Sequence, residues 1–195
     1  IRKEQGFVVE HTLIARSPLD GYSEIFMDTR LEEVPGLAIV SIAVPQGGKT
    51  ALDKAMQDAF GAMLPDTGRI TTSDDNKIRF LGMSPDQVFA LYDEPEAGAE
   101  TEIETTLAGC GYFTRQSDNW VKLRISGPAT LAALERICPV DLDPAAFPEN
   151  RVARTVFEHM GSIVLGDGEE GFLLLSAASS ARAFLDAVRE SIIRL

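Results

Sequence analysis

Hydrophobic spacing changes period several times along the chain, and each change predicts an element. After a polar lead through Arg30, residues 36–44 carry a Leu-Ala-Ile-Val-Ser-Ile run bounded by Pro35 and Pro45 and read as a strand. Over residues 50–63 the period becomes helical. Leu52, Met56, Ala59, Phe60 and Met63 share one stripe, Thr50 and Asp53 resemble a capping box, and Pro65 marks the stop. Residues 77–82 and 87–92 read as two short strands turning at Ser84-Pro85-Asp86. Residues 97–107 place Ala99, Ile103 and Leu107 four apart, a second helix.

The order then recurs. Residues 119–126 alternate Trp120, Lys122, Arg124 and Ser126 against Val121, Leu123 and Ile125, the pattern of a half-buried strand. Ser126-Gly127-Pro128 opens a helix through Ile137, with Leu131, Leu134 and Ile137 inward. Residues 139–148 form a proline-bounded connector, and 157–165 with 172–176 read as a hairpin. A last helix over 179–195 puts Phe184, Leu185, Val188 and Ile192 on one face. The prediction is an α+β protein of two similar βαββα halves, about 31–112 and 113–195, with mixed or antiparallel sheets, forming one compact unit over 1–195.

Composition narrows what such a fold does. The 195 residues carry 18 basic and 30 acidic side chains, a formal charge of −12. A surface that acidic repels phosphate backbones and the anionic leaflet of a membrane, which argues against nucleic-acid and membrane partners. Asp86, Asp93, Glu94, Glu96, Glu100, Glu102 and Glu104 fall in a stretch without Lys or Arg; it reads as a solvated face or a docking patch for a basic partner. No apolar run has the length of a membrane span, and Ile1-Arg2-Lys3-Glu4 lacks a signal-peptide core. Cys110 and Cys138 make no disulfide framework, so a reduced, cytoplasmic protein is expected.

Several motifs invite a chemical reading. Ala43-Val44-Pro45-Gln46-Gly47-Gly48-Lys49-Thr50 fits a relaxed phosphate loop between strand and helix, with Val88 to Asp93-Glu94 in the style of a magnesium-binding strand. Pro45 removes a donor from that loop, and the hairpin-like strands that follow do not suit a parallel nucleotide fold. Gly166-Asp167-Gly168-Glu169-Glu170-Gly171 matches a dinucleotide fingerprint, but a strand follows it instead of a helix, which reads as a turn built on Asp167-Gly168. His11 and His159 have no metal-ligand spacing with the cysteines and no nucleophile motif beside them. His159 reads as a strand residue, Cys138 as a small apolar residue at a helix end, and Trp120 and Tyr112 as core or interface. No catalytic, cofactor-binding or metal-binding residue is assigned.

Leu123-Arg124-Ile125-Ser126-Gly127-Pro128-Ala129, followed by Leu131-Ala132-Ala133-Leu134, resembles the strand-Gly-Pro-helix element of the folate-binding aminomethyltransferase superfamily. Cys138-Pro139-Val140-Asp141-Leu142-Asp143-Pro144-Ala145-Ala146-Phe147-Pro148 resembles, more narrowly, the gamma subunits of heterotetrameric sarcosine oxidases. So do Val152-Ala153-Arg154-Thr155, His159-Met160-Gly161, and residues 176–180 leading into Ala183-Phe184-Leu185. Ser17-Pro18-Leu19 and Met63-Leu64-Pro65 fit the same pattern.

The resemblance implies a non-catalytic subunit of an enzyme that demethylates sarcosine to glycine, yielding peroxide with formaldehyde or methylene-tetrahydrofolate. It also implies alpha, beta and delta partner subunits, which hold FAD, FMN, NAD, tetrahydrofolate and zinc while the gamma subunit holds none. The alternative is a free-standing folate-binding or aminomethyltransferase-like protein. Two departures weigh against it: Arg115-Gln116-Ser117 stands where folate-binding relatives often place an acid, and Ala108-Gly109-Cys110-Gly111-Tyr112 only loosely echoes their Lys-Gly-Cys-Tyr signature.

Overall fold

The computed structural model describes residues 16–93, 99–168 and 171–195, with the side chains of 99–101 left out. Among the described residues the order begins with β1 (Ser23–Phe26) and β2 (Thr29–Glu33), then β3 (Leu37–Ala43), α1 (Lys49–Phe60), β4 (Ile70–Thr72), β5 (Ile78–Ser84), β6 (Gln87–Asp93) and α2 (Ala99–Thr106). It continues with β7 (Tyr112–Arg115), β8 (Trp120–Ser126), α3 (Thr130–Glu135), β9 (Val152–Phe157), β10 (Met160–Gly166), β11 (Gly171–Ala177) and α4 (Ala181–Ile193). One sheet has the order β1-β2-β8-β11-β10-β9 and the other β4-β5-β6-β3-β7. The class is α+β, as expected. Every pairing among the described strands is antiparallel, so neither sheet is mixed.

The two sheets pack face to face. Leu37, Ile39, Leu81, Phe89 and Leu91 meet Val152, Ile163, Leu165, Leu173 and Leu175 between them. The outer face of the five-stranded sheet is covered by α1 through Leu52 and Met56, by α2 through Ile103, and by Leu107 just after α2. On the six-stranded sheet, α3 and α4 contribute Leu134, Phe184, Leu185, Val188 and Ile192 over Val121, Leu123, Ile125, Val164 and Leu174. Helix, sheet, sheet and helix thus stack as four layers. A central strand buried on both faces needs no polar side, which explains the unbroken Phe172-Leu173-Leu174-Leu175 run of β11.

Several expectations need correcting. The polar lead contains the β1–β2 hairpin: Thr29, Leu31 and Glu33 are buried, so this polar-looking strand packs against the core through alternate residues. β4, β7 and β9 were not expected as separate strands, and the predicted strand 157–165 breaks at Glu158, whose φ of 52° turns β9 into β10. His159 therefore sits exposed in that turn and not on a strand. Helix α1 ends at Phe60 because Gly61 adopts φ 66° and closes its N–H onto Gln57 O; Pro65 plays no part, and Met63 is exposed. Nor is there a capping box. Gly48 is the N-cap, and the Asp53 carboxylate accepts the N–H of Leu64 at 2.8 Å instead.

The alternation of β8 also misleads at Lys122, which is 6% exposed. Its strand lies under the helices on one side and the second sheet on the other. The ammonium donates to Leu37 O at 2.9 Å and Ser117 O at 3.1 Å. The predicted second helix is observed as α2, with Ile103 and Leu107 buried; Ala97 lies outside the described residues.

Candidate functional site

The phosphate-loop segment lies between β3 and α1, but β3 is flanked by antiparallel β6 and β7. The Gly48 N–H, one of the amides such a loop would offer, is closed onto Pro45 O at 2.8 Å. Lys49 reaches Asp66 at 3.6 Å with both side chains exposed, a weak surface pair. Asp93 ends β6, exposed, and Glu94 lies outside the described residues.

Gly166 ends β10 and Gly171 opens β11, with Gly168 at φ 79° and the Asp167 N–H bonded to Gly171 O at 3.0 Å. Glu169 and Glu170 lie outside the described residues. Asp167 itself is only 10% exposed and joins the sheets: Arg79 of β5 donates to one oxygen at 2.8 Å and Arg124 of β8 to the other. The Asp167 carboxylate of the fingerprint is thus occupied structurally.

His159 is exposed in its turn, and His11 lies outside the described residues. Cys138 is buried and burial pushes its thiol pKa up, although the Val140 N–H and Thr155 pull it down; Cys110 is half-buried. Among the described residues no group of three or more His, Cys, Asp or Glu side chains could hold a metal ion. Trp120 packs into the space between the sheets, its ring edge-on to Phe89 at 6.0 Å. Tyr112 is 70% exposed on β7.

Three buried or half-buried polar clusters escaped the sequence reading. Glu33 accepts the Ser17 hydroxyl at 2.7 Å and the N–H groups of Leu19 at 3.1 Å and Gly21 at 2.8 Å, so Ser17-Pro18-Leu19 is a loop folded around a carboxylate. Tyr22 donates to Glu24, which also pairs with Arg189 of α4 at 3.0 Å. Burial first, then the bond and charge of Glu24, push the Tyr22 pKa up to about 12; Arg189, ahead of Tyr22, holds Glu24 below the carboxylate range. Lys122 is the third. Each includes at least one partner well removed in sequence: Glu33 reaches back to Ser17, Glu24 is paired by Arg189 and Lys122 donates to Leu37 O.

Two of the concave regions gather residues that the sequence singled out. One, of about 590 Å³, lies between α1, the β4–β5 turn, β6 and α2; Asp58, Asp74, Asp75, Asp93 and Glu102 rim it over Phe60, Ile78 and Ile103. Here the acidic stretch is partly gathered. Asp75 is held down to about 2 by the Ser73 hydroxyl, the Lys77 N–H and the Lys77 ammonium. The other, about 480 Å³, is walled by the Gly127-Pro128 element, by Leu142, Pro144, Phe147 and Pro148 of the connector, and by Phe172. The segments behind the resemblance therefore build walls and turns: the connector lines this hollow, Val152-Ala153-Arg154-Thr155 lies in β9, and Ala183-Phe184-Leu185 in α4.

No family model matches the chain. It is 29% identical over 182 residues to the sarcosine oxidase subunit gamma of Corynebacterium sp. (strain P-1), covering 88% of this chain and 87% of that one. It is 27% identical over 173 residues to the subunit of the same name from Arthrobacter sp., covering 86% and 85%. In structure it resembles a chain of the heterotetrameric sarcosine oxidase from Corynebacterium sp. U-96, solved in complex with pyrrole 2-carboxylate. That match has a TM-score of 0.73 and 24% identity, covering 85% of this chain and 84% of that one. The glycine cleavage system aminomethyltransferase T from Bartonella henselae shares the fold at a TM-score of 0.59 and 14% identity, over 83% of this chain and 45% of that one. The resemblance to sarcosine oxidase gamma subunits drawn from the sequence is borne out.

Proposed function

We propose that this chain is the gamma subunit of a heterotetrameric sarcosine oxidase, supporting the oxidative demethylation of sarcosine to glycine without carrying the chemistry itself. The observation behind this reading is the likeness to gamma subunits along 88% of the chain. The placement of the candidate groups supports it: Asp167, Lys122 and Glu33 are each committed to holding elements together. Alpha, beta and delta subunits are then its partners, and the flavins, NAD, folate and zinc are theirs.

The division into halves near 31–112 and 113–195 belongs to the same reading. Each long strand, β3 or β8, is followed by helix, three strands and helix, and each is preceded by a short strand, β2 or β7. The spacing supports a duplication: β4 starts at Ile70 and β9 at Val152, β5 at Ile78 and β10 at Met160, α2 at Ala99 and α4 at Ala181.

A free-standing folate-binding protein is the second reading, favoured by the aminomethyltransferase-like fold. Against it, Gln116 and Ser117 are occupied in holding β3, through Ile39. The test is to purify the tagged chain from its own host grown on sarcosine. A flavin-coloured complex of fixed proportions, producing peroxide only with sarcosine, is the expected result. A colourless chain eluting alone, with sarcosine oxidase activity left in the lysate, overturns the proposal and calls for direct folate titration.

A further inference from the structure

Arg69 and Arg151 stand opposite each other where the edges of the two sheets meet. Arg69 directly precedes β4, the end strand of one sheet, and Arg151 directly precedes β9, the end strand of the other; an isolated antiparallel bridge joins the two residues. Its bonds fall on either side of the pair: the Ile70 N–H donates to Asn150 O at 2.9 Å and the Val152 N–H to Gly68 O at 3.2 Å. Arg69 and Arg151 are thus a non-hydrogen-bonded antiparallel pair, the kind in which opposed side chains come closest. Like charges directly opposed in this way destabilise the pairing. The nearby acids do not relieve them. Among the described residues neither guanidinium makes an ion pair: Asp66 lies against Lys49, Asp167 holds Arg79 and Arg124, and Glu149 lines the apolar hollow. Arg151 Nε is moreover buried with no hydrogen-bond partner, an open donor of a kind that folded proteins seldom leave.

We infer that Arg69 and Arg151 form a clamp for a carboxylate presented by a partner subunit, an inference that rests on the subunit reading above. A carboxylate has two oxygens and matches the planar guanidinium fork. Seated between the two arginines, it neutralises their repulsion and accepts from the Arg151 Nε–H. The charge of the chain points the same way. Its total is −12, so two arginines held together without an acid are a local reversal of sign, complementary to an acidic group. The form of the site favours a group carried on a docked surface over a free ion. Arg69 is exposed, and neither arginine lines the two hollows described above, so an ion resting there stays open to water, where such pairs are weak. A surface docked over the pair excludes that water and strengthens it.

The test is competition for the complex. Arg69→Gln and wild-type chains are expressed in equal amount in the native host, the flavin-containing complex is purified through a tag on the alpha subunit, and mass spectrometry reads the share of each chain. Loss of one guanidinium from a covered charge pair should weaken assembly about thirtyfold, so the variant's share is expected to fall below about one tenth. Arg151→Gln should behave alike, and Arg69→Lys, which keeps the charge without the fork, should fall between. Alone in solution, Arg69→Gln should melt no lower than the wild-type chain, because a repulsion is removed; an arginine that merely held the edge together would lower Tm when replaced. Equal shares of Arg69→Gln and wild type in the complex overturn the inference. Equal shares together with a Tm of the isolated wild-type chain that rises in sulfate, against chloride of the same ionic strength, overturn it in favour of a free-ion site. A complex that lacks the wild-type chain as well overturns the subunit reading itself, a result distinct from the other two. If Arg151→Gln fails to fold, the exposed Arg69 carries the test alone.

Discussion

Asp167→Asn tests whether the glycine-rich turn is structural. The carboxylate is 10% exposed and each oxygen takes a guanidinium, Arg79 from one sheet and Arg124 from the other. Asparagine keeps the size and one acceptor but turns an NH2 toward a guanidinium and removes the charge. Hydrogen bonds to charged partners contribute about 1.5–3 kcal/mol each. Arg79 and Arg124 are 26% and 40% exposed, and solvent there weakens both pairs. The net loss should be about 2–3 kcal/mol, a fall in Tm of about 5–10 °C for a chain of this length. Urea unfolding followed by the fluorescence of Trp120 reads it, with the slope unchanged. In the Arg79→Met, Arg124→Met background the same substitution should cost less than about 1 kcal/mol, because its partners are gone. A wild-type midpoint for Asp167→Asn would refute the bridging role.

Three further outcomes follow from single sites. Phe184→Ala removes a ring with no exposure that meets Phe157 edge-on at 5.7 Å, and should lower unfolding free energy by about 3–5 kcal/mol in denaturant titration. Tyr22 has its folded pKa raised from 10.0 to about 12. Its phenol therefore contributes stability that is whole below pH 10 and is lost as pH rises from 10 to 12; Tyr22→Phe should flatten that part of the Tm–pH curve. Cys110 should react with a thiol reagent in the native protein while Cys138, 5% exposed with a raised pKa, reacts only on unfolding; equal rates in mass spectrometry would contradict its burial.

Elements with many apolar residues in one period were legible. α4 is long enough to repeat Phe184, Leu185, Val188 and Ile192 on one side, and β3, β6 and β11 are buried along most of their length. Short strands were not. β4 has three residues, and β1 and β7 four each, too few to establish alternation, and they are strands because a neighbour supplies the ladder. The polar clusters were illegible for a related reason. Asp167 finds Arg79 at a separation of 88 residues and Arg124 at 43, while Arg189 finds Glu24 at 165. The fold has to exist before those partners are neighbours.

The same distinction bears on function. Each motif that suggested chemistry is a local pattern, and in the fold each is absorbed by a local structural job: Gly48 caps α1, Gly168 turns a hairpin, and Cys138 lies buried after α3. The residues behind the likeness to gamma subunits behave differently, because they meet across the chain. Gly127-Pro128, the 139–148 connector and Phe172 close around one apolar hollow, and Ser17 with Leu19 encloses Glu33. Those residues specify a shape, with its polar groups turned inward to backbone and ion pairs.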